Sequence, residues 1–133
     1  MSADKIITAQ VIETGESDYA VSIDVSGHSI KGDEPEEAGG KNLGPAPYDL
    51  LTAALGECTA MTVRWYALRE KWPLDKVEVT LTHQKIDKVS VFEKKIIVHG
   101  DQLTDEQRQK LIDVAAKCPV QRTLEGKVEI KTV

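Results

Sequence analysis

Between Pro47 and Pro73 the chain carries no proline, and that interval constrains the fold more than any other feature. Proline's ring excludes the helical conformation from the residue before it, so residues 48–72 read as one helix, begun after Pro47 and stopped before Pro73. At 1.5 Å per residue such a helix is about 37 Å long, as wide as a whole domain of this size, whose radius of gyration is about 14 Å. It must cross the entire domain. Within residues 50–58 the apolar and small side chains of Leu50, Leu51, Ala53, Ala54, Leu55, Gly56 and Cys58 surround the axis, and a helix apolar on all sides is buried on all sides. Ala53, Gly56 and Ala60 let another backbone come close. The helix is therefore expected at the centre of a dimer, because one protomer could hardly bury it.

Strand patterns flank this helix. Residues 6–13 are β-branched and apolar-rich, and Tyr19, Val21, Ile23 and Val25 alternate with Ala20, Ser22 and Asp24, the period of a half-buried strand. Residues 14–18, with Gly15, make the hairpin connection, and residues 28–31 add a short third strand. Residues 32–47 are acidic, then rich in Gly and Pro, and read as an irregular loop; loops of such length are often functional. After the helix, Val77, Val79 and Leu81 alternate in one strand and residues 92–98 supply another that pairs with it. Thr104 with Gln107 is a capping-box signature, and Asp105 and Glu106 suit the positive end of a helix that runs to about Lys117. Pro119 restarts a short helical turn. Val128 and Ile130, alternating with Lys127, Glu129 and Lys131, are expected to form a closing strand. The order βββ-α-ββ-α-β, strands gathered around one helix, argues for the α+β class.

With 133 residues and 41% hydrophobic content, the chain fits one domain over residues 1–133. Its formal net charge of -5, without a clustered basic patch, disfavours nucleic acid or an anionic membrane surface as partners. No apolar run approaches the roughly 18 residues of a membrane helix, and residues 1–5 lack the basic-then-apolar pattern of a signal peptide. A cytoplasmic protein is expected. Two cysteines in such a chain are reduced, buried or transiently oxidised more readily than permanently bridged.

Cys58 falls well inside the long helix, beyond reach of its dipole, among mostly apolar neighbours. Desolvation raises a thiol's pKa, so a reactive Cys58 needs a cation or donors brought by tertiary structure. Cys118 directly precedes Pro119 and suits a helix N-cap, where free N–H groups stabilise a thiolate. Local sequence makes it the more acidic of the two. The competing reading is a pair of ordinary buried thiols.

The segment Gly44-Pro-Ala-Pro-Tyr-Asp-Leu-Leu-Thr-Ala-Ala-Leu-Gly-Glu-Cys58 resembles the Pro-x-x-Leu-x-x-Ala-Ala-x-x-x-Cys helix of the OsmC/Ohr family. Cys118-Pro-Val-Gln-Arg-Thr-Leu-Glu-Gly126 is similar to that family's second-cysteine motif, particularly in its OsmC-like branch. The resemblance implies an OsmC-like fold, with antiparallel sheets wrapped around long central helices in an intertwined homodimer, and a site at the subunit interface. It implies a peroxidase for small organic hydroperoxides in which Cys58 attacks the O–O bond and Cys118 resolves the sulfenic acid. An external dithiol then reduces the disulfide, and neither cofactor nor metal takes part.

Hydroperoxide-reducing members of the family carry a Glu where this chain has Tyr48, and an activating Arg in the N-terminal region, where this chain has none. Asp49, one position on, and Glu57, beside Cys58, are the acidic candidates. Arg122, one turn after Cys118, is the leading cation because a guanidinium can hold a thiolate and a leaving oxygen together; Arg64 and Lys41 rank behind it. His28, His83 and His99 lack ligand spacing, and the glycines of residues 39–44 lack the Lys-Ser/Thr of a phosphate loop. Two alternatives stay open: a non-catalytic dimer that holds a small apolar or thiol ligand, and thiol-based acyl transfer, for which no histidine is placed by sequence.

Overall fold

The structure, a computed structural model, describes residues 5–133; the leaderless reading of the N-terminus falls largely on residues 1–4, outside the described residues. The chain forms two compact units that divide between Leu50 and Leu51.

In the first unit, β1 (Ala9–Glu13), β2 (Val21–Val25) and β3 (His28–Gly32) form an antiparallel sheet in that order. The register sets Val11 opposite Ile23 and Ile23 opposite Ile30, so β-branched side chains stack across one face. The segment that follows contains a short 3-10 turn, Glu36–Ala38, and is organised by one buried carboxylate. Asp33 accepts hydrogen bonds from the Ser17 hydroxyl (2.7 Å) and from the N–H groups of Glu34 (2.8 Å), Lys41 (3.0 Å) and Leu43 (3.2 Å). Gly40 is required inside this turn, because a Cβ there would lie 2.0 Å from the Glu34 carbonyl oxygen.

Burial of Asp33 opposes its ionisation, but the bonds from Ser17, Lys41, Leu43 and Glu34 outweigh it and hold the carboxyl below its ordinary value. The folded pKa is therefore lower than the unfolded one. The stabilisation is complete above the ordinary carboxylate pKa of about 3.9 and is lost as pH falls through the folded value. Hydrogen exchange is expected to show the Lys41 and Leu43 amides protected near neutrality and progressively released below about pH 4. The Asp33→Asn protein should lack that acid step. Protection in the parent protein that ignored acidification would disprove the assignment.

Helix α1 (Pro47–Glu70) begins in the first unit and continues in the second. Asp49 accepts the Ala46 N–H (2.9 Å) at its start, and Lys71, at φ 58, ends it in the left-handed conformation, with Trp72 N–H bonded to the Ala67 carbonyl (2.9 Å). The expected single helix is present, and within one protomer only one face of it is buried. Leu55, Cys58, Thr59, Thr62, Val63 and Ala67 are buried at helical spacing, whereas Ala53 and Ala54 are exposed. Gly56 receives a side chain of the same chain: a Cβ there would sit 2.6 Å from Leu81 Cδ1.

The second unit continues with the hairpin β4 (Lys76–Ile86) and β5 (Val89–His99), then α2 (Asp105–Ala115) and α3 (Pro119–Glu125). Val63 and Ala67 of α1 pack with Leu74, Leu103, Leu111 and Ala115, flanked by Ile96 and Val98 of β5. The capping box forms as expected, with Thr104 Oγ1 accepting the Gln107 N–H and Gln107 accepting the Thr104 N–H. The closing strand does not form. Val128 and Ile130 lie in irregular, exposed chain, since alternation makes a strand only where an edge pairs with it, and no such pairing exists among the described residues.

Candidate active site

Residues 55, 58, 59 and 62 of α1 follow one another at three- and four-residue steps, so Leu55, Cys58, Thr59 and Thr62 share one buried face. Cys118 meets that face, forming a small cluster with Leu55 and Cys58 that Leu81, Phe92 and Val120 border. Cys58 is 6% exposed, Cys118 is wholly buried, and both are free thiols.

The geometry of Cys118 follows from its sequence position. It is the N-cap of α3 in extended conformation, with Pro119 in the first turn, and its Sγ accepts the Gln121 N–H (3.4 Å). The neighbouring donor serves the other sulfur, because Val120 N–H points at Cys58 Sγ (3.4 Å). Helix starts leave such N–H groups without backbone partners. Here two successive ones are spent on two thiols.

The cation beside them is Lys94, on β5. Its Nζ donates to Thr59 Oγ1 (3.0 Å) and to the Ala115 carbonyl at the end of α2 (2.8 Å). Thr59 Oγ1 lies 2.8 Å from the Leu55 carbonyl oxygen and 3.5 Å from Cys118 Sγ. Burial lowers the lysine's pKa, opposed by attraction to Cys118, Cys58 and Glu125 in that order. Burial likewise pushes the Cys58 thiol up; the Val120 N–H opposes this, the adjoining Cys118 adds to it, and Thr62 opposes it. Thr62 Oγ1 is buried without a full hydrogen bond among the described residues, yet it stands near enough to favour the Cys58 thiolate.

A family profile described as OsmC-like protein matches residues 39–133, most of the chain and both cysteine segments. The chain belongs to the OsmC-like family. Its fold is shared with an OsmC-like protein from Mycoplasma pneumoniae (TM-score 0.77, 18% identity, covering 92% of this chain and 89% of that one). It is also shared with an organic hydroperoxide resistance protein OsmC, a predicted redox protein, from Legionella pneumophila (0.69, 19%, 98% and 96%). A third such structure is the organic hydroperoxide resistance protein OhrB of Bacillus subtilis (0.63, 20%, 97% and 97%). No curated protein sequence gave a significant match.

The other residues singled out in this OsmC-like chain are dispersed. Arg122 is exposed on α3, with its backbone N–H bonded to the Cys118 carbonyl (3.1 Å). Glu57 is exposed on α1, and Asp49 serves the helix start described above. Arg64 donates to the carbonyls of Leu74 (2.7 Å) and Asp75 (3.2 Å), holding the turn into β4. His99 pairs with Glu78 at the surface (2.6 Å), and His83 lies against the Phe92 ring. Lys94 escaped sequence reasoning that sought cations near the cysteines along the chain. Its signal was the strand period: Phe92, Lys94, Ile96 and Val98 occupy alternate, half-buried positions of β5, and a lysine in the apolar register of a strand needs a partner. Among the described residues, no helix is long and apolar enough to cross a membrane.

Proposed function

We infer that this chain is a cysteine-dependent peroxidase that reduces organic hydroperoxides. The reading is carried by one observation: two free thiols adjoin in an apolar cluster, each bonded by an N–H from the first turn of α3. Cys58 is the less buried of the two cysteines and is the nucleophile. Its thiolate attacks the outer peroxide oxygen, the O–O bond breaks, and the alkoxide leaves and takes a proton to become an alcohol. Cys118 then attacks the Cys58 sulfenic acid and expels hydroxide, forming the disulfide. An external dithiol returns the two electrons by thiol exchange. The apolar lining from Leu55, Leu81, Phe92 and Val120 suits an alkyl substituent better than hydrogen peroxide. Names given to proteins of the same fold, organic hydroperoxide resistance and predicted redox protein, point the same way. The protein works as a cytoplasmic homodimer, a state supported by the exposed Met61, Trp65 and Leu68 along α1 (55%, 52% and 67%).

Intact-mass and peptide mass spectrometry after one equivalent of an alkyl hydroperoxide tests the reading. The expected product is a Cys58–Cys118 disulfide, two hydrogens lighter than the reduced chain. A second reading, a non-catalytic dimer that binds a small apolar or thiol ligand, is favoured by the burial that raises the Cys58 thiol. Under that reading the mass stays unchanged.

A further inference from the structure

We propose that Lys94, acting through the Thr59 hydroxyl, places the negative charge of the reduced thiol pair on Cys118, which makes Cys118 the base that deprotonates Cys58 before it becomes the resolving nucleophile. The role as base rests on the peroxidase reading; the placement of charge does not. A threonine hydroxyl has one proton to give, and Thr59 has two acceptors in reach, the Leu55 carbonyl at 2.8 Å and Cys118 Sγ at 3.5 Å. While Cys118 is neutral, the proton goes to the nearer carbonyl. When Cys118 is ionised, the hydroxyl turns to the sulfur, because a hydrogen bond to an ion is about twice as strong as one between neutral groups. Lys94 Nζ holds the hydroxyl oxygen from behind at 3.0 Å and polarises it toward the sulfur.

Among the described residues no hydroxyl relays Lys94 to Cys58 in this way. Its neighbours are the Val120 N–H and the partly engaged Thr62, and Lys94 is drawn more strongly to Cys118 than to Cys58. The charged and titratable groups that bear on the thiol pair include Lys94 from β5 and, acting on Lys94, Glu125 from α3; Lys117 adjoins Cys118 along the chain, and Arg122, one turn on, bonds its carbonyl through the backbone with its side chain exposed. With Lys94 and the Thr59 hydroxyl on the Cys118 side, Cys58 keeps the proton that the pair shares.

The steps balance with that single proton. The Cys118 thiolate takes it from Cys58 as the Cys58 sulfur bonds to the outer oxygen of the hydroperoxide and the O–O bond breaks. The departing alkoxide takes it back from Cys118 and leaves as the alcohol. Cys118, a thiolate again, attacks the Cys58 sulfenic acid, and hydroxide leaves. The two thiols have lost two electrons, which the external dithiol restores.

Thiolate absorbance in single-cysteine proteins tests the charge placement without peroxide, so failure of the peroxidase reading does not disturb it. Cys118 in the Cys58→Ser protein is expected to ionise at lower pH than Cys58 in the Cys118→Ser protein. Lys94→Met or Thr59→Val should move the Cys118 midpoint up by about one pH unit, a tenfold loss of thiolate, and move that of Cys58 by less, since Lys94 attracts Cys58 second to Cys118. Lys94→Arg and Thr59→Ser keep the charge and the hydroxyl and should preserve the low midpoint, which also guards against a misfolded variant. A Cys118 midpoint at or above that of Cys58, or one indifferent to Lys94→Met, overturns the placement. Stopped-flow formation of the sulfenic acid tests the role as base. Cys118→Ser should slow this first step roughly tenfold at neutral pH, in line with the usual contribution of a positioned base, and an unchanged first step excludes the role.

Discussion

Peroxide turnover by the Cys58→Ser protein is expected to fall on the order of a thousandfold or more, to the level of the uncatalysed reaction with the reducing dithiol. A serine hydroxyl at this position lies in the same buried face of α1 and accepts the same Val120 N–H, so folding should survive. It has no ionised form near neutral pH and, having no sulfur, cannot form a sulfenic acid. Cys118→Ser should behave differently, consuming about one equivalent of hydroperoxide per chain and then stopping, because the oxidised Cys58 has no second sulfur to meet. Steady-state consumption of an alkyl hydroperoxide with a dithiol reductant separates the two variants. Parent-level turnover by Cys58→Ser would leave the proposed chemistry without its nucleophile.

The second large effect concerns stability. Leu111 is wholly enclosed among Val63, Ala67, Leu74, Leu103 and Ala115, where truncation leaves a cavity that close-packed neighbours fill only in part. Leu111→Ala is expected to cost about 2–5 kcal/mol, read as a lower urea midpoint. Leu124, 39% exposed on α3, gives the contrast; Leu124→Ala should cost below about 1 kcal/mol. The loss at Leu111 also reaches the thiols. Ala115, one turn further along α2, supplies the carbonyl that holds Lys94, so loosening α2 should weaken peroxide consumption even where the protein remains folded. Equal stability of the two variants would mean that α2 is not anchored as described.

What the sequence disclosed was mostly local. Pro47 and Pro73 bracket α1, Thr104 and Gln107 announce α2, and Cys118 before Pro119 places a thiol at the head of α3, each through contacts within a few residues. The β4–β5 turn was less visible, since Asp87 and Lys88 adopt left-handed conformations (φ 49 and 69) that asparagine and glycine fill more often. The site itself needed long-range information. Cys58 and Cys118 are sixty residues apart in the sequence, and only the cysteine motifs of the family suggested their meeting. Lys94 reaches them from a strand between the two, and neither of its acceptors adjoins it along the chain. Val128 and Ile130 show the converse failure, a correct strand period without a neighbour to pair with.

The grip of Asp33 has a bearing on how this protein can vary. Three of the four donors that converge on its carboxylate are main-chain amides, at Glu34, Lys41 and Leu43. The segment between them is thus fixed by the path of its peptide groups and not by its side chains. Related chains can exchange most residues there freely, Gly40 and the left-handed Gly39 (φ 98) apart, yet an insertion or deletion of a single residue would carry the Lys41 and Leu43 amides out of register with the carboxylate.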